Sequence, residues 1–182
     1  MRTGPGFMGT AGVYTPEKLV MGILSSLPGG DDELRAVLVE HWGAADFCSS
    51  PIPFTFTDYY EKEMGTAIVR TFVAFERLVD PSCLARVKLQ TNGIEDRFRD
   101  RGLRRVNLDP GLMALSRFSL ATTKENAHRI PLSDGVYAEI TLLYSRGGFQ
   151  PLPWTYPDFR SAVYLAALNE IRSLYKAQLH KH

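Results

Sequence analysis

IVRTFVAFERLVDPSCLARVKLQTNGIEDRFRDRGLRRVNL, residues 68–108, changes its hydrophobic period twice, from alternation to helical spacing and back. Val69, Thr71, Val73 and Phe75 fall on one side of an extended chain, so Ile68–Val79 predicts a strand. Pro81 stands where a helix can begin, because the first turn leaves its N–H groups unpaired in any case. From there to about Arg99, Leu84, Val87, Ile94 and Phe98 recur on one helical face. Gly102 breaks that helix, and Arg104–Leu108 predicts the next strand.

The residues before this stretch repeat the pattern. Lys18–Ser25 (KLVMGILS) predicts a strand, and Asp31 starts a helix through Trp42 with Leu34, Val37, Leu38 and His41 on one face. Phe47–Thr57 predicts an edge strand, since Pro51 and Pro53 cannot donate to a central ladder. Asp58–Thr66 predicts a loop or one helical turn. The order β-α-β-β-α-β is the split βαβ, ferredoxin-like order.

Downstream, Asp109-Pro110-Gly111 predicts a type II-like turn. The segment Leu112–Ala127 is left unassigned. His128–Leu132 and Val136–Tyr144 predict a hairpin around Ser133-Asp134-Gly135, and a turn at Arg146-Gly147-Gly148 leads to Phe149–Leu152. An amphipathic helix from Phe159 to about Gln178 closes the chain. The expected architecture is α+β: a lead-in over residues 1–17, then one domain over residues 18–180. In that domain a ferredoxin-like core is extended by a β-hairpin or meander and a C-terminal helix.

Composition narrows the function classes. The chain has 182 residues, 45% hydrophobic and 23% charged, which suits one globular domain without disulfide or metal support. A net charge of +1 supplies no global field toward nucleic acid or anionic membrane, so no strong nucleic-acid binding and no membrane partner are expected. Cys48 and Cys83 form no C-x-x-C pair. No signal peptide or membrane span is read, and cytoplasmic residence is the default expectation. No P-loop, dinucleotide fingerprint, nucleophile elbow or H-E-x-x-H is present. The four histidines are too scattered for a tight metal site.

The remaining chemistry lies in three clusters. If residues 117–127 are helical, Arg117, Lys124 and His128 share one face with Arg129 close by, an anion site for phosphate or carboxylate; a solvated basic face is the alternative. His128 is then the candidate for proton transfer. Asp109 and Asn107 lie on one side of a strand end, and Asp58, Tyr59, Tyr60 and Glu63 sit in TDYYEKEMG. Carboxylates such as Asp58 and Asp109 suit catalysis or a divalent cation held through water, and tyrosines grip a ring. Gln150, Trp154, Tyr156 and Asp158 belong to FQPLPWTYPD, a proline-stiffened aromatic wall or a surface for a protein partner. Arg97, Arg99, Arg101, Arg104 and Arg105 form a cluster that offers a weaker RNA-contact alternative.

With TDYYEKEMG, RRVNLDPG, ATTKENAHR and FQPLPWTYPD in this order, the chain resembles an uncharacterised bacterial and archaeal family known as a domain of unknown function. Its members are sometimes automatically named GTP-binding, although this chain lacks a P-loop. The resemblance spans about Leu19 to the final helix. It implies a shared site built from those segments and no particular activity. The expected function is therefore binding of a small anionic molecule, a nucleotide or phosphate ester, in a polar cleft, with catalysis left open.

Overall fold

A computed structural model describes residues 11–180. The first ten residues of the expected lead-in lie outside the described residues. The chain runs β1 (Glu17–Ser25), α1 (Asp32–Trp42), β2 (Ala45–Cys48), β3 (Ile52–Pro53), α2 (Glu61–Met64), β4 (Val69–Val79) and α3 (Leu84–Arg97). It continues through β5 (Val106–Met113), β6 (Arg117–Thr122), β7 (Ile130–Pro131), β8 (Tyr137–Ser145), β9 (Gly148–Pro151) and α4 (Ala162–Leu179). A single 3-10 turn precedes α3 and another precedes α4.

One nine-stranded sheet takes the order β2-β4-β1-β5-β6-β8-β7, with β3 on β4 and β9 on β8, and every pairing is antiparallel. β1 lies inside the sheet and is buried along its whole length. Because successive side chains face opposite ways, its two sets of apolar residues enter two cores. Leu19, Met21 and Ile23 pack with Leu34, Leu38 and Trp42 of α1 and with Leu84, Val87 and Ile94 of α3. Val20 packs on the other face with Phe72, Phe118, Tyr164, Leu168 and Ile171, beneath α4. A third cluster, Leu24, Phe54, Met64 and Ile68, closes one end. The protein is thus a sheet with α1 and α3 on one side and α4 on the other.

Several local expectations change. Asp109-Pro110-Gly111 is not a turn but the middle of β5, in continuous register with β1 from Lys18↔Met113 to Ser25↔Val106. The helix considered for residues 117–127 is replaced by β6 and a loop, so the shared helical face of Arg117, Lys124 and His128 does not exist. Cross-strand pairing with β8, as in Leu120↔Glu139 and Thr122↔Tyr137, holds the segment extended. The edge strand expected at Phe47–Thr57 is two short pieces, split at the Ser49–Pro51 corner. On α1 the buried position goes to Trp42, while His41 is exposed.

Candidate functional site

A cleft of about 680 Å³ opens where β5 and β6 part. Their ladder joins only Gly111–Met113 to Phe118–Leu120. Backbone groups two residues apart in a strand point to the same edge. The Ala114 N–H donates to the Arg117 carbonyl of β6 at 3.0 Å, so Leu112, Pro110 and Leu108 face the same way. Pro110 has no N–H to continue the ladder. Leu108 is satisfied from α3 instead: its N–H donates to Glu95 Oε1 at 2.8 Å, and Lys88 Nζ donates to its carbonyl at 2.8 Å. Proline in mid-strand therefore opens the sheet, and two helix side chains answer the backbone groups left behind.

The floor of the cleft is an arginine. Arg70 of β4 is 2% exposed and reaches Asp109 Oδ2 with Nη1 at 2.8 Å and Asp158 Oδ2 with Nη2 at 3.5 Å. β1 lies between β4 and β5, and Gly22 stands opposite Asp109. A Cβ at Gly22 would sit 2.9 Å from Arg70 Nη1, so the missing side chain is the channel through which the guanidinium crosses. The rings of Phe54, Phe72, Phe159 and Tyr164 surround the cation. Asn107 Nδ2 donates to Asp109 Oδ1 at 2.8 Å.

These contacts divide the two carboxylates. Burial alone would raise the Asp109 pKa, but the Arg70 and Lys88 charges, with hydrogen bonds from Arg70 and Asn107, carry it below the usual value. Asp158 is raised, because burial outweighs Arg70 there. Burial and the Asp109 charge push the Tyr60 phenol well above its usual range, and burial pushes Tyr164 up to about 12.

The mouth is aromatic and basic. Lys124 Nζ lies 5.0 Å from the Tyr59 ring centroid and 3.4 Å from its hydroxyl. Arg129 donates from Nε to Glu139 Oε2 at 2.8 Å, from Nη1 to the Lys124 carbonyl at 2.8 Å, and from Nη2 to the Tyr156 hydroxyl at 2.8 Å. His128 also meets Glu139 Oε2, with Nε2 at 2.9 Å, and its ring stacks on Trp154 at 4.9 Å and 12°. The Trp154 indole donates to the Ile140 carbonyl at 2.8 Å. At the rim, Arg104 joins Glu63, Glu95 and Asn107.

Of the residues marked from the sequence, Asn107, Asp109, Tyr59, Tyr60, Lys124, Arg129, Tyr156 and Asp158 line the cleft. His128 and Trp154 stand behind its wall through Glu139 and the Ile140 carbonyl, and Glu63 braces Arg104. Asp58 is exposed on the loop before α2. Gln150 is exposed on β9 and bonds only to the Ser145 carbonyl at 3.5 Å. Arg117 lies elsewhere: its guanidinium pairs with Glu17 at 2.5 Å, in a second depression of about 740 Å³.

Two central residues were missed, and both left a trace in the sequence. Arg70 interrupts the apolar run IVRTFVAF, and Glu139 interrupts VYAEITLL; a charge inside a buried strand needs a partner. Lys88 and Glu95 were hidden in the helix pattern.

Among the described residues no group of three or more His, Cys, Asp or Glu side chains is placed to hold a metal ion. Asp109 and Asp158, the floor carboxylates, are both held by Arg70. Among the same residues no helix is long and apolar enough to cross a membrane. No curated protein and no solved structure matches the chain. A family model described as "Domain of unknown function (DUF4416)" matches residues 15–175, and the chain belongs to that family.

Proposed function

We propose that the cleft binds a small anionic molecule, a nucleotide or another phosphate ester, with its anionic group at Lys124 and a ring against the tyrosines of the mouth. The observation that carries this reading is the state of the charges. Five cations line the cleft, and Arg70, Lys88, Arg104 and Arg129 are each in an ion pair. Of these five, Lys124 alone has no carboxylate partner among the described residues, and it lies over the Tyr59 ring. An ammonium held this way is a natural partner for a phosphate.

The alternatives have less support. The loop of residues 149–158 turns its polar groups inward: Trp154 donates to Ile140, and Arg160 ties down the carbonyls of Leu152, Pro153 and Thr155. That suits a wall better than a docking surface for a protein partner. In the Arg97–Arg105 cluster, Arg99, Arg104 and Arg105 are paired with Asp96, Glu63 and Asp100, which leaves two of the five arginines, Arg97 and Arg101, for RNA. We also read residues 18–180 as one domain whose strands β2-β4-β1-β5, with α1 and α3 as crossovers, form a ferredoxin-like core.

The test is thermal stabilisation by a panel of nucleotides, sugar phosphates and inorganic phosphate. At about 100 times the dissociation constant a true ligand adds about 2.7 kcal/mol. Lys124→Ala and Tyr59→Ala, both at exposed positions, should leave the melting temperature of the free protein nearly unchanged and abolish that stabilisation. A ligand whose effect survives both changes binds elsewhere.

A further inference from the structure

Glu139 holds an acceptor with no donor. The residue is 2% exposed, it lines the cleft, and its Oε2 takes both Arg129 and His128. Its other oxygen, Oε1, is buried without any partner. Buried carboxylate oxygens in folded proteins are ordinarily hydrogen-bonded, so an orphan in the wall of a cleft points to a donor that arrives with a ligand.

Three features narrow the donor. The charge of Glu139 is already balanced by Arg129, so a second cation would gain little there. Lys124, at the mouth of the same cleft, repels cations in any case. A neutral O–H fits both facts. The third feature is the Arg129 fork, which ties Glu139 to the Lys124 backbone and to the Tyr156 hydroxyl. Lys124 and Glu139 thus line one cleft and are joined through the Arg129 guanidinium, so one ligand is offered both an ammonium and an acceptor.

We propose that the ligand is a hydroxylated phosphate ester, a ribonucleotide or a sugar phosphate, whose phosphate meets Lys124 and whose hydroxyl donates to Glu139 Oε1. This rests on the binding function proposed above and adds the second half of the ligand. His128 and Arg129 act as positioning residues that hold the carboxylate, and Tyr59 with Tyr60 offers a face for a base when one is present.

The experiment is calorimetric titration of the full chain with the four ribonucleoside 5′-monophosphates, their 2′,3′-dideoxy counterparts, ribose 5-phosphate and inorganic phosphate. The expected result is that a hydroxylated ester binds about tenfold tighter or more than its dideoxy counterpart, the scale of one charge-assisted hydrogen bond. Ribose 5-phosphate as tight as the best nucleotide assigns a sugar phosphate, and a large gain from the base assigns a nucleotide. Lys124→Ala should weaken all the esters together. Glu139→Gln, which keeps the shape and lets its oxygen still accept from Arg129, should selectively narrow the gap between hydroxylated and dideoxy ligands. Esters that bind in a Lys124-dependent way with equal affinity, hydroxyls or not, overturn the role of Glu139 and leave the binding site standing. A gap that Glu139→Gln does not narrow overturns it too. No Lys124-dependent binding by any ester overturns both. Should Glu139→Gln fail to fold, the hydroxyl comparison in the unaltered protein still decides.

Discussion

Arg70 of β4 donates to Asp109 of β5 at 2.8 Å across an intervening strand, passing over Gly22. The contact ties together strands that are not neighbours and places a fully desolvated cation beneath the cleft. Such a cation is tolerable only while its partners remain, because the desolvation cost of each charge is met by the others.

Arg70→Met should therefore destabilise the fold by about 3–5 kcal/mol, since Asp109 and Asp158 would be left without their cation. Urea denaturation measures it as a lower midpoint. A loss below about 1 kcal/mol would mean that water already screens these carboxylates.

The same pair predicts a pH dependence. Asp109 has a folded-state pKa below its unfolded value of about 3.9, so its contribution is fully present above that value. It is lost as pH falls through the lower, folded-state pKa. Asp158 has the opposite sign: its pKa is raised, so its ionisation costs stability as pH rises from about 4 through the folded value. Asp109→Asn should lower stability at pH 7 and flatten its decline below about pH 4. Denaturation midpoints from pH 2 to pH 7 give the comparison, and an unchanged acid limb in the variant would refute the assignment.

Two glycines should respond oppositely to alanine. At Gly111 a Cβ would stand 2.7 Å from Phe118 Cζ and 2.7 Å from the Ser119 carbonyl, where β5 and β6 still pair. Gly111→Ala should cost about 1–3 kcal/mol by overpacking. Gly93 is exposed within α3 with open space around it, so Gly93→Ala should gain about 0.5–1 kcal/mol from helix propensity. Thermal melts of the two variants should move in opposite directions from the parent, and a shared direction contradicts the packing described.

Trp154→Phe should cost about 1 kcal/mol, because the ring can still stack on His128 while the bond to the Ile140 carbonyl is lost. His128→Ala should cost more than Lys124→Ala, since His128 meets a buried carboxylate and Lys124 only the exposed Tyr59. Equal melting temperatures for the two alanine variants would refute that order.

The succession of strands and helices was written locally. Alternation in Ile68–Val79, helical spacing after Pro81, the Ser133-Asp134-Gly135 turn and the amphipathic final helix can each be read from near neighbours, and each recurs in the structure. What depends on distant partners was not legible. Asp109-Pro110-Gly111 has the composition of a turn, yet β1 pairs with it and keeps it extended. Pro110 then opens the sheet only because β6 lies on the edge it faces. A helix over residues 117–127 would put Arg117, Lys124 and His128 on one face, but β8 draws residues 117–122 into a strand. Arg70 and Glu139 were visible as charges in apolar strands, but not their meaning. Which face a strand side chain takes, which strand lies beside it and where a ladder stops are set by long-range pairing, and one strand's own pattern does not contain its neighbour.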